Sequence, residues 1–348
     1  EVAWAGCNPL TTKDEVAAQL AKEGIKIFAW RGNQKEYYWC LDEAIKIHPN
    51  LTMDDGADLV LKTHKDHRRL LSDVMGGTEQ TTTGVRRLRN MASEGELKYP
   101  IIAVNEAETK WEFDNVYGTG QGTIDGLLRG TSILIAGKNF VIAGYGHCGR
   151  GVASRAKGMG ANVIVTEVDP IKALMAAMDG YRVMPMKEAA KVGDIIITTT
   201  GNKNVVTKEH FPLLKTGAIL GNVGHFNVEI RVDQLEECAL SKEEVRPNVT
   251  KYRLPGGKHV YLLAEGRLFN IAIAEGHPSS VMDLSFANQI LSLIHLVEHH
   301  EEMESKVYSV PRSQDELVAR MKLEALGIEI DCLTMEQSEY AKSWKEGT

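Results

Sequence analysis

The stretch VIAGYGHCGRG, residues 141–151, constrains this chain more than any other. A short apolar run enters Gly144-Tyr145-Gly146-His147-Cys148-Gly149, and a helix-patterned segment, RGVASRAKGMG, leaves it. Glycines at this spacing allow a tight turn and let backbone N–H groups at a helix N-terminus approach a pyrophosphate. A second apolar run, ANVIVTEVDP, follows, with Glu167 at its end, 23 positions past Gly144. A carboxylate there binds both ribose hydroxyls and repels a 2′-phosphate, so the turn favours NAD over NADP. The glycines alone say little. Strand, turn, helix, strand and acidic residue in that order specify a doubly wound dinucleotide-binding domain.

The rest of the chain extends this reading to an α/β fold with two doubly wound parallel-sheet domains and a small C-terminal helical segment. Residues 1–113 alternate strand-like pieces (EVAWAG, IKIFAW, LTMDDGADLV, YPIIAVNEA) with helix-like ones, which implies a parallel sheet covered on both faces. Thr11 or Thr12 is expected to cap the first helix and Gly24 to end it. The second series runs over 114–276 through DIIITTTGN and GAILGNVGHF. Glycine-rich DNVYGTGQGTIDGLLRG, between the two, contains the expected hinge. Residues 277–325, with a helix-like run at 283–305, are read as a return to the first domain, and 326–348 as a C-terminal oligomerisation segment.

Charge and cysteine usage exclude several classes. A net charge of −7 argues against a nucleic-acid surface, and the run Arg86-Arg87-Leu88-Arg89 reads as a solvated helix face. Five scattered cysteines without a C-x-x-C fit a reducing, cytoplasmic compartment rather than a disulfide framework. No apolar run looks long enough to span a bilayer, and no signal peptide is visible. The chain has no initiator Met and opens on a strand-like run, so we expect N-terminal sequence to be missing. HLVEH, residues 295–299, fits a zinc-protease pattern, but it lies in a charged helix without a third ligand and reads as a solvated face.

Strand ends supply the chemistry. TTTGN (198–202) and GNVGHF (221–226) close apolar runs at the carboxyl edge where ligands bind, so Asn202, Asn222 and His225 are expected to face the cofactor. In the first half, DDGAD places Asp54, Asp55 and Asp58 at a strand end, and TEQTTTG sets hydroxyls before a helix. ETKWEFDN puts Lys110 and Asp114 four apart, on one face if helical. Together these patches suggest a substrate cleft between two domains.

GCNPL, DDGADL, TTTGV, KWEFDNVYGTGQ, AGYGHCGRG, VTEVDP, NVGHFNVEI, LLAEGRLFN and EGHPSSVMDLSFANQ together resemble the S-adenosylhomocysteine hydrolase family over nearly the whole chain. The resemblance implies a homotetramer with one NAD held tightly in each subunit, acting on a small molecule in one-carbon metabolism. Transient oxidation of the nucleoside 3′-hydroxyl acidifies C4′–H, homocysteine thiolate is expelled, water adds, and the hydride returns. It implies that Lys110 and Asp114 contact the ribose hydroxyls, with Lys110 assisting 3′-hydroxyl deprotonation. Asp55 would transfer protons near C4′ and C5′, and His225 would handle water or leaving-group protons beside the nicotinamide. Thr81, Thr82, Thr83, Asn115, Asn202, Val223, Gly224 and Asn270 would line the NAD with the 144–149 turn and Glu167. Gln80 would contact substrate, and His277 and Met282 would surround the nucleobase.

The chain departs from the family pattern at Gln80, where a glutamate is usual. The family's N-terminal segment and its Lys/Tyr-bearing tail are absent, and Thr119 replaces a common cysteine. S-inosylhomocysteine is an alternative substrate. A soluble NAD-dependent 2-hydroxy or amino acid dehydrogenase and a non-catalytic NAD-binding regulator are the alternatives from other classes.

Overall fold

A computed structural model describes residues 1–345. Strands β1 (Ala3–Ala5) and β2 (Lys26–Phe28) pair in parallel as a separate two-stranded sheet. Strands β3 (Leu51–Asp54), β4 (Gly76–Glu79) and β5 (Ile101–Ala103) belong to a second sheet. A third contains β6 (Asn139–Ala143), β7 (Asn162–Thr166), β8 (Arg182–Val183), β9 (Ile195–Thr198), β10 (Ala218–Asn222), β11 (Ser241–Arg246), β12 (Val249–Arg253) and β13 (His259–Leu263). The last strand, β14 (Val307–Ser309), returns to the second sheet, giving the all-parallel order β14-β5-β4-β3.

The third sheet carries the dinucleotide-binding topology. Its parallel part has the order β13-β10-β9-β6-β7-β8, so the chain reverses direction of travel between β6 and β9. Ligands bind in the crevice outside the carboxyl ends at such a reversal. The strands read as unbroken apolar runs because both faces are covered. Phe140, Ile142, Val163, Val165, Ile195 and Ile197 bury on one side, and Val141, Ile164, Ile196 and Leu220 on the other. The antiparallel pair β11–β12, which the periodicity did not reveal, extends the sheet past β13.

Residues 1–113 do not form one sheet as expected. The strands β1 and β2 are short and partly exposed, whereas β5 is buried throughout, so the first pair lacks the apolar faces that a central position needs. Nor do Thr11 and Thr12 cap the first helix. It spans Asp14–Lys22 from Lys13 with no side-chain cap; Asp14 and Glu15 place negative charge in its first turn instead. Gly24, at φ +91°, follows it.

One nearly continuous helical segment joins the sheets: Glu108–Lys110, then a π-helical stretch Trp111–Gly118, then Thr119–Thr131. The return passes through Phe269–Ala272 into the 21-residue helix Ser279–His299. By length and composition this last helix, continued to Glu302, is apolar enough to cross a membrane, contrary to the sequence expectation. It packs instead against β4 and the π-helical stretch, burying Leu284, Ser285, Asn288, Gln289, Ser292 and Leu296. Helices Arg312–Ala325 and Met335–Tyr340 follow. Of the C-terminal segment expected at 326–348, residues 346–348 lie outside the described residues.

Buried Asp315 ties this C-terminal region to the connecting segment. Its carboxylate accepts the N–H groups of Glu108 (2.6 Å) and Thr109 (2.9 Å), and the Thr109 hydroxyl also donates to it. It therefore caps the helix that carries Lys110 from more than two hundred residues away. Asp315→Ala is expected to cost about 1–2 kcal/mol in urea unfolding, and Asp315→Asn less, because an amide oxygen still accepts.

Candidate active site

The glycine turn is shaped by close backbone approach. Gly144 adopts φ +98°, and a Cβ at Gly149 would collide with the Gly144 carbonyl. Helix His147–Gly158 starts at Gly146 with no side-chain cap, leaving its first N–H groups available to an anion. Glu167 is fixed at the rim. Its Oε2 accepts the Tyr145 N–H (2.6 Å), and its Oε1 accepts those of Val168 (2.7 Å) and Asp169 (3.1 Å). The Tyr145 hydroxyl donates to Asp179 at 2.6 Å. Cys148 makes a 3.6 Å contact with Thr119, and burial pushes its thiol up, away from thiolate chemistry. His147 stacks on Trp111 of the π-helical stretch, with ring centroids 4.1 Å apart.

The neighbouring strand ends complete the crevice. Glu229, buried below Thr200 and Gly201, accepts both their N–H groups (2.9 and 2.7 Å) and so shapes the loop after β9. Asn202 on that loop is exposed, Val223 and Gly224 are buried after β10, and Asn270 is buried with its Oδ1 unpartnered among the described residues. Asn222 does not face this crevice, contrary to expectation. Its amide donates to the carbonyls of Gly224, Phe226 and Gly266, while its Oδ1 accepts from Thr198 and Gly224, which saturates it as a knot under the His225 turn. The glycine turn, the fixed carboxylate and the unpartnered Asn270 oxygen fit a bound dinucleotide.

On the substrate side, four segments meet at Asp114. Lys110 Nζ lies 3.3 Å from its Oδ2, both side chains being almost fully buried. His277 Nδ1 bonds Oδ1 at 2.6 Å, Ser285 donates to Oδ2 at 2.9 Å, and the Gln80 amide approaches the same oxygen at 3.4 Å. Burial opposes ionisation of Asp114, but Lys110 and these donors outweigh it and hold the carboxyl below its ordinary range. Lys110 also donates to Asn105 (2.9 Å) and Asn115 (2.7 Å), and Asn115 donates to Asn105 (3.1 Å). The Asn115 side chain is thus engaged with Lys110. His277 sits at the Asp114 end of the cleft with its Nε2 buried and unpartnered among the described residues. Met282 is half-buried in the first turn of Ser279–His299.

Across the cleft, Asp55 Oδ1 lies 3.9 Å from His225 Nδ1, and the imidazole rests against Gly56. Thr81 precedes helix Thr82–Ser93; Thr82 accepts from Asn105 (2.8 Å), and buried Thr83 lies against Gly201 of the loop after β9. The basic run here is more than a solvated face. Arg86 donates to the Gly201 carbonyl, and Arg87 bonds Gly56 O and Asp58 (2.7 Å) and lies over the Phe226 ring. Sequence reasoning also missed Asn105, Ser285 and Glu79; only the strand-end position of Glu79 offered a signal. The His295 and His299 rings lie 4.6 Å apart in a tilted arrangement, and among the described residues no three His, Cys, Asp or Glu are grouped to hold a metal.

A glycine turn on a parallel sheet, facing a buried lysine–carboxylate pair on the connecting helical segment, defines an enzyme of the NAD-binding α/β class. Residues 115–276 match the family model "S-adenosyl-L-homocysteine hydrolase, NAD binding domain", and residues 1–71 match "S-adenosyl-L-homocysteine hydrolase". The adenosylhomocysteinase of Aquifex aeolicus is 60% identical, over all of this chain and 84% of that one. That of Saccharolobus solfataricus is 58% identical, with the same coverages. The S-inosyl-L-homocysteine hydrolase of Methanocaldococcus jannaschii is 55% identical over all of this chain and 84% of its own. The chain belongs to the S-adenosyl-L-homocysteine hydrolase family.

Asp114→Ala strands the buried Lys110 and is expected to destabilise the fold by about 3–5 kcal/mol at pH 7 in urea titrations. A depressed carboxyl stabilises above its unfolded value and loses that contribution as pH falls, so the gap between wild type and variant should narrow below about pH 4.

Proposed function

We propose that the chain hydrolyses S-adenosyl-L-homocysteine to adenosine and L-homocysteine, with Lys110, Asp114, Asp55 and His225 handling the protons. The observation that carries this reading is the buried Lys110–Asp114 pair, 3.3 Å apart beside the glycine-turn domain, in a chain of this family. NAD, when bound, supplies reversible hydride exchange at the ribose 3′ carbon. Gly144, Tyr145, Gly146, His147, Cys148 and Gly149 would cradle its pyrophosphate and Glu167 its ribose. Thr81, Thr82, Thr83, Asn202, Val223, Gly224 and Asn270 would line it.

Lys110 assists removal of the 3′-hydroxyl proton. The oxygens of Asn105, Asn115 and Asp114 around Nζ fix its position for that transfer. Asp114 and Gln80 hold the ribose hydroxyls. Gln80 offers Asp114 an amide donor where a carboxylate would repel it. Asp55, half-exposed on its turn, is placed to remove the C4′ proton once the neighbouring carbon is a ketone. His225 donates to the departing thiolate or takes a proton from the incoming water. His277 and Met282 would close over the nucleobase end.

We further assign the protein to the cytoplasm, as a homotetramer. All five cysteines are free, which suits a reducing compartment. Two apolar surfaces remain exposed and suit a subunit contact: Phe286, Ile290, Ile294 and Val297 along one helix, and Leu326, Ile328, Ile330 and Leu333 beyond Arg312–Ala325.

The test uses purified protein freed of loose nucleotide and supplied with S-adenosylhomocysteine but no NAD. Sustained thiol release without net NADH is expected, with Lys110→Ala lower by about 10³-fold and unable to form NADH in the first turnover. NADH accumulating in step with product would instead mark a dehydrogenase, and no thiol release a binding protein. Faster turnover of S-inosylhomocysteine would move the substrate assignment to that nucleoside.

A further inference from the structure

Glu79 has no place in the chemistry above, yet it is fully buried between the two candidate reactive walls. Its Oε1 accepts the Gly56 N–H at 2.9 Å and the Thr81 N–H at 2.8 Å. Gly56 directly follows Asp55, and its open face is where the His225 imidazole rests. Thr81 opens the threonine run. The space for the carboxyl exists because residue 84 is glycine; a Cβ there would overlap it. Arg87 holds the Gly56 carbonyl, in the next peptide unit. Thus one carboxyl oxygen joins the turn after β3 to the turn after β4.

We propose that Glu79 is a positioning residue that sets Asp55 and His225 for C4′ and C5′ proton transfer, by fixing the Gly56 peptide relative to Thr81. This rests on the hydrolase reading. Glu79 stands opposite Asp54 in the parallel β3–β4 register, and Asp54 in turn accepts the N–H groups of Asp55 (2.8 Å) and Val60 (2.9 Å). Burial, then the charges of Asp54 and Asp55, push the Glu79 carboxyl well above the usual range. The facing ionisable groups are Asp54 and Asp55 on the β3 turn, with Arg87 on the Gly56 carbonyl. A neutral amide at position 79 keeps the acceptor oxygen and therefore the function. The oxidation step belongs to Lys110 and Asp114 on another segment, and among the described residues neither shares a hydrogen bond with Glu79.

The NAD-loaded full chain, with S-adenosylhomocysteine, tests this. Glu79→Ala is expected to lower thiol release by about 30-fold while first-turnover NADH formation stays within about three-fold, and Glu79→Gln to stay within about three-fold in both. Amide exchange at Gly56 and Thr81 should speed up in Glu79→Ala and not in Glu79→Gln. Should Glu79→Ala fail to fold, Glu79→Asp, too short to reach both N–H groups, is expected to give the same split. Thiol release kept in Glu79→Ala, equal damage in Glu79→Gln, or unchanged exchange at Gly56 overturns the proposal. A wild type that releases no thiol defeats the hydrolase reading alone, and the exchange measurements then decide for or against Glu79.

Discussion

A buried charge must be paired, and Asp114 organises the cleft by that requirement. Its carboxylate is almost fully withdrawn from solvent, and the cost of burying it is offset by Lys110, His277, Ser285 and Gln80. Those four partners come from the connecting helical segment, the return turn, the helix Ser279–His299 and the turn after β4. Movement of any of these segments would remove a partner from the buried carboxylate. The π-helical stretch contributes directly. Both Asp114, four residues on, and Asn115, five residues on, reach the Lys110 ammonium. The widened turn at the junction of the two sheets is thereby tied to the site itself, consistent with the functional bias of such turns.

The same logic, run with backbone rather than charge, holds the cofactor side. Glu167, Glu229 and Asn222 spend their side-chain oxygens on N–H groups of irregular turns at strand carboxyl ends. These turns have no ladder to satisfy them, and buried N–H groups need acceptors. A rigid apolar sheet below and side-chain acceptors above give loops of fixed shape without regular secondary structure.

What could be read from the sequence follows the range of the interactions. The glycine turn and Glu167 were legible because strand, turn and helix are contiguous, and the apolar runs of β6, β7, β9 and β10 announce double-sided burial. Lys110 and Asp114 were legible as a spaced pair. By contrast, the Asp315 cap acts across more than two hundred residues, and Ser285 reaches Asp114 from the distant helix Ser279–His299. No local pattern encodes either. Asn222 misled for a related reason: its strand-end place is that of a ligand-facing residue, and only the positions of Gly266 and Phe226 reveal that its donors are consumed. Arg87 looked like one more surface cation until Gly56, Asp58 and Phe226 converged on it. In the long helix Ser279–His299 the buried serines, asparagine and glutamine interrupt the apolar run, although its mean composition resembles a membrane span.

Four carboxyls on adjoining walls of one cleft show how environment divides identical chemistry. Asp114 meets a lysine and is held ionised. Asp54 and Glu79 stand opposite each other in the β3–β4 register and accept backbone N–H groups, with no salt-bridge cation against either among the described residues, and burial drives both toward the neutral form. Asp55, on the turn between them, is the one left partly open to solvent and within reach of a histidine. A carboxylate that must exchange protons with substrate needs access and a movable partner. Carboxyls that must hold a turn need burial and fixed N–H donors. The short sequence Asp54-Asp55-Gly56 places both kinds side by side, because alternation along the strand end turns Asp54 inward and leaves Asp55 facing the cleft.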